Sequence, residues 1–249
     1  MSKKNNKQID VLIICGQGVY LDGKYYSEYP DHNVYLEHAI TVKDVFEKFN
    51  YTHIVCSGGY TQQAQEISEA ESFNNMWQDM GSKPDTENII FDKYALDSAE
   101  NIILGLIALR NRLKRDGISL TIRRIGAYSA WQFKKERFNN LAKELGILNQ
   151  FYFHGFVDAT KAQSGDLALK GEQNFLSNTK DDPFLVSNDA ERKRRNRLKR
   201  GDYDNRFSEL IDNFPQLFEK FDEFKRFRGI KEQIAFVNAF KVNIIDYKK

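Results

Sequence analysis

His53-Ile54-Val55-Cys56-Ser57-Gly58-Gly59-Tyr60-Thr61, followed after a polar spacer by Ile67-Ser68-Glu69-Ala70-Glu71, is the stretch that decides the fold. Ile54, Val55 and Cys56 sit hard against a turn signal and read as a short buried strand. Ser57-Gly58-Gly59 is that turn. Adjacent glycines permit positive φ and let backbone N–H groups reach a ligand with no Cβ in the way. Ile67 to Met80 reads as a helix with Ser68, Glu69 and Glu71 at its start, and Gly81 and Pro84 stop it. Strand, glycine turn and helix put a reactive surface outside the carboxyl ends of the strands, where open α/β sheets take ligands.

Upstream, Asp10 to Cys15 is a continuous apolar run, as expected of a parallel strand buried on both faces. Gly16-Gln17-Gly18 follows. A dinucleotide fingerprint would need glycine where Leu21 stands and a helix at once, so a typical NAD site is rejected. Val19 to Asn33 reads as a long loop whose tyrosines (Tyr20, Tyr25, Tyr26, Tyr29) form a lid or pack over a sheet edge. Val34 to Phe49 has helical apolar spacing, and His38 within it reads as a satisfied, partly buried side chain.

Downstream, Asn88 to Phe91 is a strand, and Asp97 and Glu100 have capping-box spacing ahead of a helix over Ile102 to Leu113. The same stretch offers Ser98, Glu100 and Asn101 to the cleft that holds Ser68 and Glu69. Leu120 to Ala127 reads as a fourth strand with Tyr128 to Gln132 as its carboxyl-end loop. Phe133 to Leu145 is the next helix, and Phe151 to His154 an aromatic strand near an edge. The expected fold is α/β: a Rossmann-like three-layer sandwich with a mostly parallel sheet over 10–157. Residues 1–9 are a polar tail and 158–188 an irregular connection. Residues 189–249 are expected to form a helical C-terminal extension.

The 249 residues carry a formal net charge of +2, unevenly spread. Arg192, Lys193, Arg194, Arg195, Arg197, Lys199 and Arg200 against Glu191 make +6, which leaves −4 for the rest. A polyanion partner, nucleic acid or anionic lipid, therefore concerns that run alone; the other readings are a solvated connecting helix and an internal contact with the ligand phosphate. Cys15 and Cys56 end apolar strands and read as buried free thiols. Met1 to Gln8 lacks the apolar stretch of a signal peptide, and no run approaches the ~20 apolar residues of a membrane span. These features read as a cytoplasmic protein.

Glycine turns backed by helix N-termini favour an anionic group. Glu69, Glu71, Asp97 and Glu100 oppose that unless they bind ribose hydroxyls, a cationic group or a bridging Mg²⁺. A sulfonium, or a nucleotide with Mg²⁺, meets both demands. His32, His38, His53 and His154 lack metal-ligand spacing, and no nucleophile elbow is present.

Gly16 after the first strand, Ser57-Gly58-Gly59, Ser68-Glu69-Ala70 and Ser98-Ala99-Glu100-Asn101, in that order, resemble the YdcF/SanA/ElyC-like family of bacterial proteins. The resemblance covers Val11 to Leu145. It implies a Rossmann-like domain with a polar cleft, links to cell-envelope processes and S-adenosylmethionine as a candidate ligand. The family's Thr/Ser-x-x-His-x-x-Arg pattern meets Ser129 to Lys135 here, with Gln132 in place of His and Lys135 in place of Arg. Gln132 cannot titrate, and Lys135 meets a phosphate only as a point charge. The expected function is binding of a nucleotide-like or phosphorylated small molecule by Gly16, Gln17, Gly18, Ser57, Gly58, Gly59, Ser68, Ser98, Asn101, Gln132 and Lys135. Glu69 and Glu100 are the candidate catalytic carboxylates for transfer or hydrolysis. The alternative is a catalytically silent scaffold that works through the basic 192–200 helix.

Overall fold

The computed structural model describes residues 7–27, 31–61, 66–115, 120–179 and 237–245. Its centre is a five-stranded parallel sheet of order β5-β4-β1-β6-β7. The strands are β1 (Lys7–Cys15), β4 (His53–Ser57), β5 (Ile89–Asp92), β6 (Leu120–Trp131) and β7 (Phe151–Val157). Alternation along β1 divides the core. Val11, Ile13 and Cys15 face one hydrophobic cluster, and Leu12 and Ile14 face the other. Helices α4 (Ser98–Arg115) and α5 (Lys135–Glu144) cover the first face. Helices α1 (His32–Ile40), α2 (Val42–Lys48) and α3 (Glu69–Met80) cover the second. A parallel sheet must be covered on both faces, and the resulting three-layer sandwich is the Rossmann-like arrangement expected from the strand pattern.

Helix α3 starts where the sequence indicates. Ser68 Oγ accepts from Glu71 N and the Glu71 carboxylate accepts from Ser68 N, a reciprocal cap of about 1 kcal/mol. Gly81 closes the helix in the left-handed region, at φ 60°.

Five segments differ from expectation. Lys7 to Ile9, expected in the polar tail, begin β1 because they pair with β6, and Ile9 is buried in the core. Val19 to Asn33 is not simply loop. It contains an antiparallel hairpin of β2 (Val19–Leu21) and β3 (Lys24–Tyr26) turning on Asp22 and Gly23, both at positive φ. Tyr20 and Tyr25 are buried, and Tyr20 Oη donates to Asp79 of α3 at 2.9 Å. Val34 to Phe49 is two helices, because the Thr41 hydroxyl bonds back to Glu37 O at 2.8 Å and breaks the run. Tyr128 to Trp131 is strand, because aromatic side chains suit a pleated surface and the segment pairs with β7. Within 158–188, residues read as irregular form α6 (Gly165–Thr179). Its first turn is tied down by Ser164, whose N–H and hydroxyl both donate to the buried Asp31 carboxylate.

The basic run 192–200, and with it most of the expected C-terminal extension, lies outside the described residues. The piece of the extension at 237–245 is helical and buries Phe240, Ile244 and Ile245 in the α4–α5 face of the core. Among the described residues no helix is long and apolar enough to cross a membrane.

Candidate functional site

The strand order fixes where a ligand site belongs. From β1 the chain winds outward through β4 and β5, then returns to the other side of β1 for β6 and β7. The order reverses between β1 and β6, and in open α/β sheets the crevice opens at the carboxyl ends there. The segments leaving the sheet at that point are Gly16-Gln17-Gly18 and a single 3₁₀ turn, Gln132–Lys134. They meet: Lys134 Nζ donates to Gln17 Oε1 at 2.8 Å.

A row of small polar side chains crosses the sheet just below. Asp92 pairs with Ser57 and Ser57 with Cys15. Ser129 follows Tyr128, the partner of Ile14. Ser57 Oγ lies 2.6 Å from Asp92 Oδ2 and 3.2 Å from Asn101 Oδ1, near the start of α4. Its single proton serves one of them at a time. Burial pushes the Cys15 thiol up to about 12, so it is a small packed group and not a nucleophile. Three buried polar atoms at this end of β6 have no hydrogen-bond partner in the described structure: Ser129 Oγ, Trp131 Nε1 and His38 Nε2, the last on a ring stacked 4.4 Å from Tyr128. Burial holds His38 neutral, with a pKa near 3. Tyr25 stacks on Tyr35, Tyr35 meets Trp131 edge to face and Trp131 stacks on Phe133, forming an aromatic wall.

Glu69 opens α3 at the carboxyl end of β4 and is buried. Its Oε1 accepts from the Thr61 hydroxyl, and its side chain packs against Gly16 and Gly58. This contact corrects the expected role of the glycines. Gly16, Gly58 and Gly59 are not among the positive-φ glycines. Their amides do not form an anion cradle either. Gly16 N donates to Ser57 O, Gly58 N to Asp92 O and Gly59 N to Ala95 O. The first amides of α3 are likewise used, Glu69 N by Gly59 O and Ala70 N by Gly58 O. The glycines let protein pack on protein. Gly18 is also crowded, by the Tyr26 carbonyl and Ser27.

The other expected site residues divide between cap and crevice. Ser68 is the buried cap of α3. Asp97 Oδ1 caps α4 by accepting from Ala99 N and Glu100 N. Glu100 Oε2 accepts from Leu96 N at 2.8 Å, one residue beyond the capping-box target. Gln132 is exposed with its backbone against Gly155, and Lys135 is exposed on α5. The cations that reach inward are their neighbours: Lys134 on Gln17, and Arg137, whose Nη1 donates to Ser98 Oγ at 3.0 Å. The inward-reaching cations are offset from Lys135, by one residue at Lys134 and by two at Arg137. The 3₁₀ turn at Gln132–Lys134 resets the phase of the following helix, and no feature of the sequence announces it.

Among the described residues no cluster of three His, Cys, Asp or Glu gathers that could hold a metal ion. The inward-reaching cations at this end are Lys134 on Gln17 and Arg137 on Ser98, beside the buried carboxylates of Glu69, Asp92 and Glu100. The fold is that of a Rossmann-like α/β protein whose topological switch point carries the Lys134–Gln17 contact. No family model, no curated protein and no solved structure matches the chain.

Proposed function

We propose that the chain binds a nucleotide-like or phosphorylated small molecule in the crevice between the carboxyl ends of β1 and β6. The observation that carries the proposal is the Lys134–Gln17 hydrogen bond across the switch point, which holds an ammonium over the place where such folds take ligands. The unpaired Ser129, Trp131 and His38 atoms support it, since buried polar groups without partners are costly and rare. The aromatic wall suits a planar ring beside the charged group. S-adenosylmethionine remains a candidate through the YdcF-like resemblance, whose support is motif order and a parallel sheet. A cytoplasmic setting is part of the same proposal, supported by the two buried free thiols of Cys15 and Cys56.

A thermal-shift screen tests this, with nucleotides, sugar phosphates and S-adenosylmethionine, each with and without Mg²⁺. A ligand at one hundred times its Kd adds roughly 2.7 kcal/mol, well within detection. Lys134→Met is expected to weaken the best anionic hit at least about tenfold, the ~1.4 kcal/mol scale of one charged contact. A hit that binds Lys134→Met unchanged removes the crevice from the proposal. If the hit turns over by transfer or hydrolysis, Glu69 is the base. Glu69→Gln keeps the Thr61 hydrogen bond but cannot take a proton, so turnover is lost with stability nearly retained. Turnover at the parent rate excludes Glu69.

A further inference from the structure

Arg137, in the first turn of α5, is held by three neighbours from other helices. Its Nε and Nη2 form a fork on both oxygens of Glu172, with the Nε bond at 3.0 Å. Its Nη1 donates to Ser98 Oγ at the start of α4, and the guanidinium carbon sits 3.4 Å from the Phe175 ring centroid. Glu172 and Phe175 both belong to α6. The pair is well covered, with side-chain exposures of 18% for Arg137 and 3% for Glu172. A fork of parallel N–H groups with a third donor beside it is the geometry that recognises a carboxylate or a phosphate.

This fork adjoins the crevice. Ser98 and Asn101 are three residues apart on α4 and so share a face. Asn101 touches Ser57 at the base of the site, and Ser98 lies one turn further out. Lys134 and Arg137 have the same three-residue spacing where the 3₁₀ turn runs into α5; Lys134 reaches Gln17 beyond β1, and Arg137 reaches Ser98 on α4.

We infer that Arg137 and Ser98 form a second anion subsite of the crevice, one that takes a phosphoryl group, and that Glu172 of α6 occupies it as an intramolecular competitor. The inference rests on the reading of the crevice as a phosphate-taking site. A phosphoryl group brings the same two acceptor oxygens as Glu172 and a third for Ser98, whose hydroxyl can turn to donate. Binding there exchanges one partner of Arg137 for another and releases the α6 carboxylate, so α6 acts as a displaceable cover.

The test is calorimetric titration of the full chain with inorganic pyrophosphate. Glu172→Gln removes the competing charge and should bind pyrophosphate at least tenfold more tightly than the parent. The gain should vanish in Glu172→Gln combined with Arg137→Gln. A purely structural clamp predicts lower stability and no gain in affinity, and equal affinity of parent and Glu172→Gln overturns the inference. So does a gain that survives loss of Arg137. Should Glu172→Gln not fold, hydrogen exchange in the parent gives the answer: pyrophosphate should speed exchange across 165–179, and unchanged protection there overturns the inference. Lys134→Met separates the two proposals. If that variant binds pyrophosphate as the parent does while Glu172→Gln still gains, the subsite stands and the Lys134 crevice falls.

Discussion

Gly59→Ala should lower stability by about 3 kcal/mol, the upper range for forcing atoms into a packed interior, and move the thermal midpoint down by roughly 10 °C. The added Cβ would lie 2.9 Å from the Lys93 carbonyl, 2.9 Å from the Ala95 carbonyl and 3.3 Å from the Tyr94 carbonyl carbon. All three atoms are main chain, so no side chain can swing aside. Gly59 N also donates to Ala95 O at 2.6 Å, and Gly59 O accepts from Glu69 N at 3.1 Å. Moving the backbone to admit the methyl would therefore strain the connection from β5 to α4 and the first turn of α3 together. Gly105→Ala is the matched control. Its Cβ would meet Ile13 and Val55 methyls at 3.4 Å, ordinary contact, and alanine gains up to ~1 kcal/mol of helix propensity. Chemical denaturation of the two variants should move in opposite directions. Equal effects would mean that Gly59 is held by something other than the close approach of main chain.

The same glycine shows how far the sequence could be read. Gly58-Gly59 between an apolar strand and a Ser-capped helix correctly located the β4–α3 unit, because capping and burial are local properties of a few residues. It did not reveal what the absent Cβ makes room for, since Lys93 to Ala95 arrive from over thirty residues away. Tertiary neighbours decide whether a glycine serves a ligand or the protein itself. The hairpin carries its own signal, the Asp22-Gly23 turn pair, which is obscured because the flanking strands are three residues each. Helix α6 is masked by Gly165, Gly171 and Ser177, and its hold on the fold comes from distant partners, Asp31 and Arg137. Lys134 and Arg137 escaped for a related reason. Their spacing makes sense only after the strand runs on to Trp131 and a 3₁₀ turn follows, whereas the Thr/Ser-x-x-His-x-x-Arg pattern laid on Ser129 directs attention to Gln132 and Lys135.

Asp10→Asn is expected to cost about 2 kcal/mol at neutral pH, through loss of a buried carboxylate shared by two arginines. Asp10 is 1% exposed and opposes Arg124 where the β1–β6 register shifts after Ile9. Arg123 forks onto both of its oxygens, and Arg124 Nη2 reaches Oδ2 at 3.0 Å. Breaking a fully buried ion pair costs ~3–5 kcal/mol. The figure is lower here because the Arg123 side chain is 62% exposed and can turn to water. The Arg123 hydrogen bond, aided by both guanidinium charges and opposed by burial, holds the Asp10 carboxyl below its ordinary value. The folded pKa is thus the lower one. The contribution is present above the unfolded pKa of about 3.9 and is lost as pH falls through the folded value. Denaturation of parent and Asp10→Asn from pH 7 to pH 2.5 should show a gap that is constant above about pH 5 and narrows below it. A gap that persists at the acid end would assign the loss to packing and not to charge. The arginines should also rank: Arg124→Met should cost more than Arg123→Met. Arg124 additionally donates to the Phe49 and Asn50 carbonyls and lies 4.8 Å from the Tyr51 ring centroid, which ties the α2–β4 connection to β6. Arg123 holds Asp10 from the solvent side, where its loss is readily made up by water.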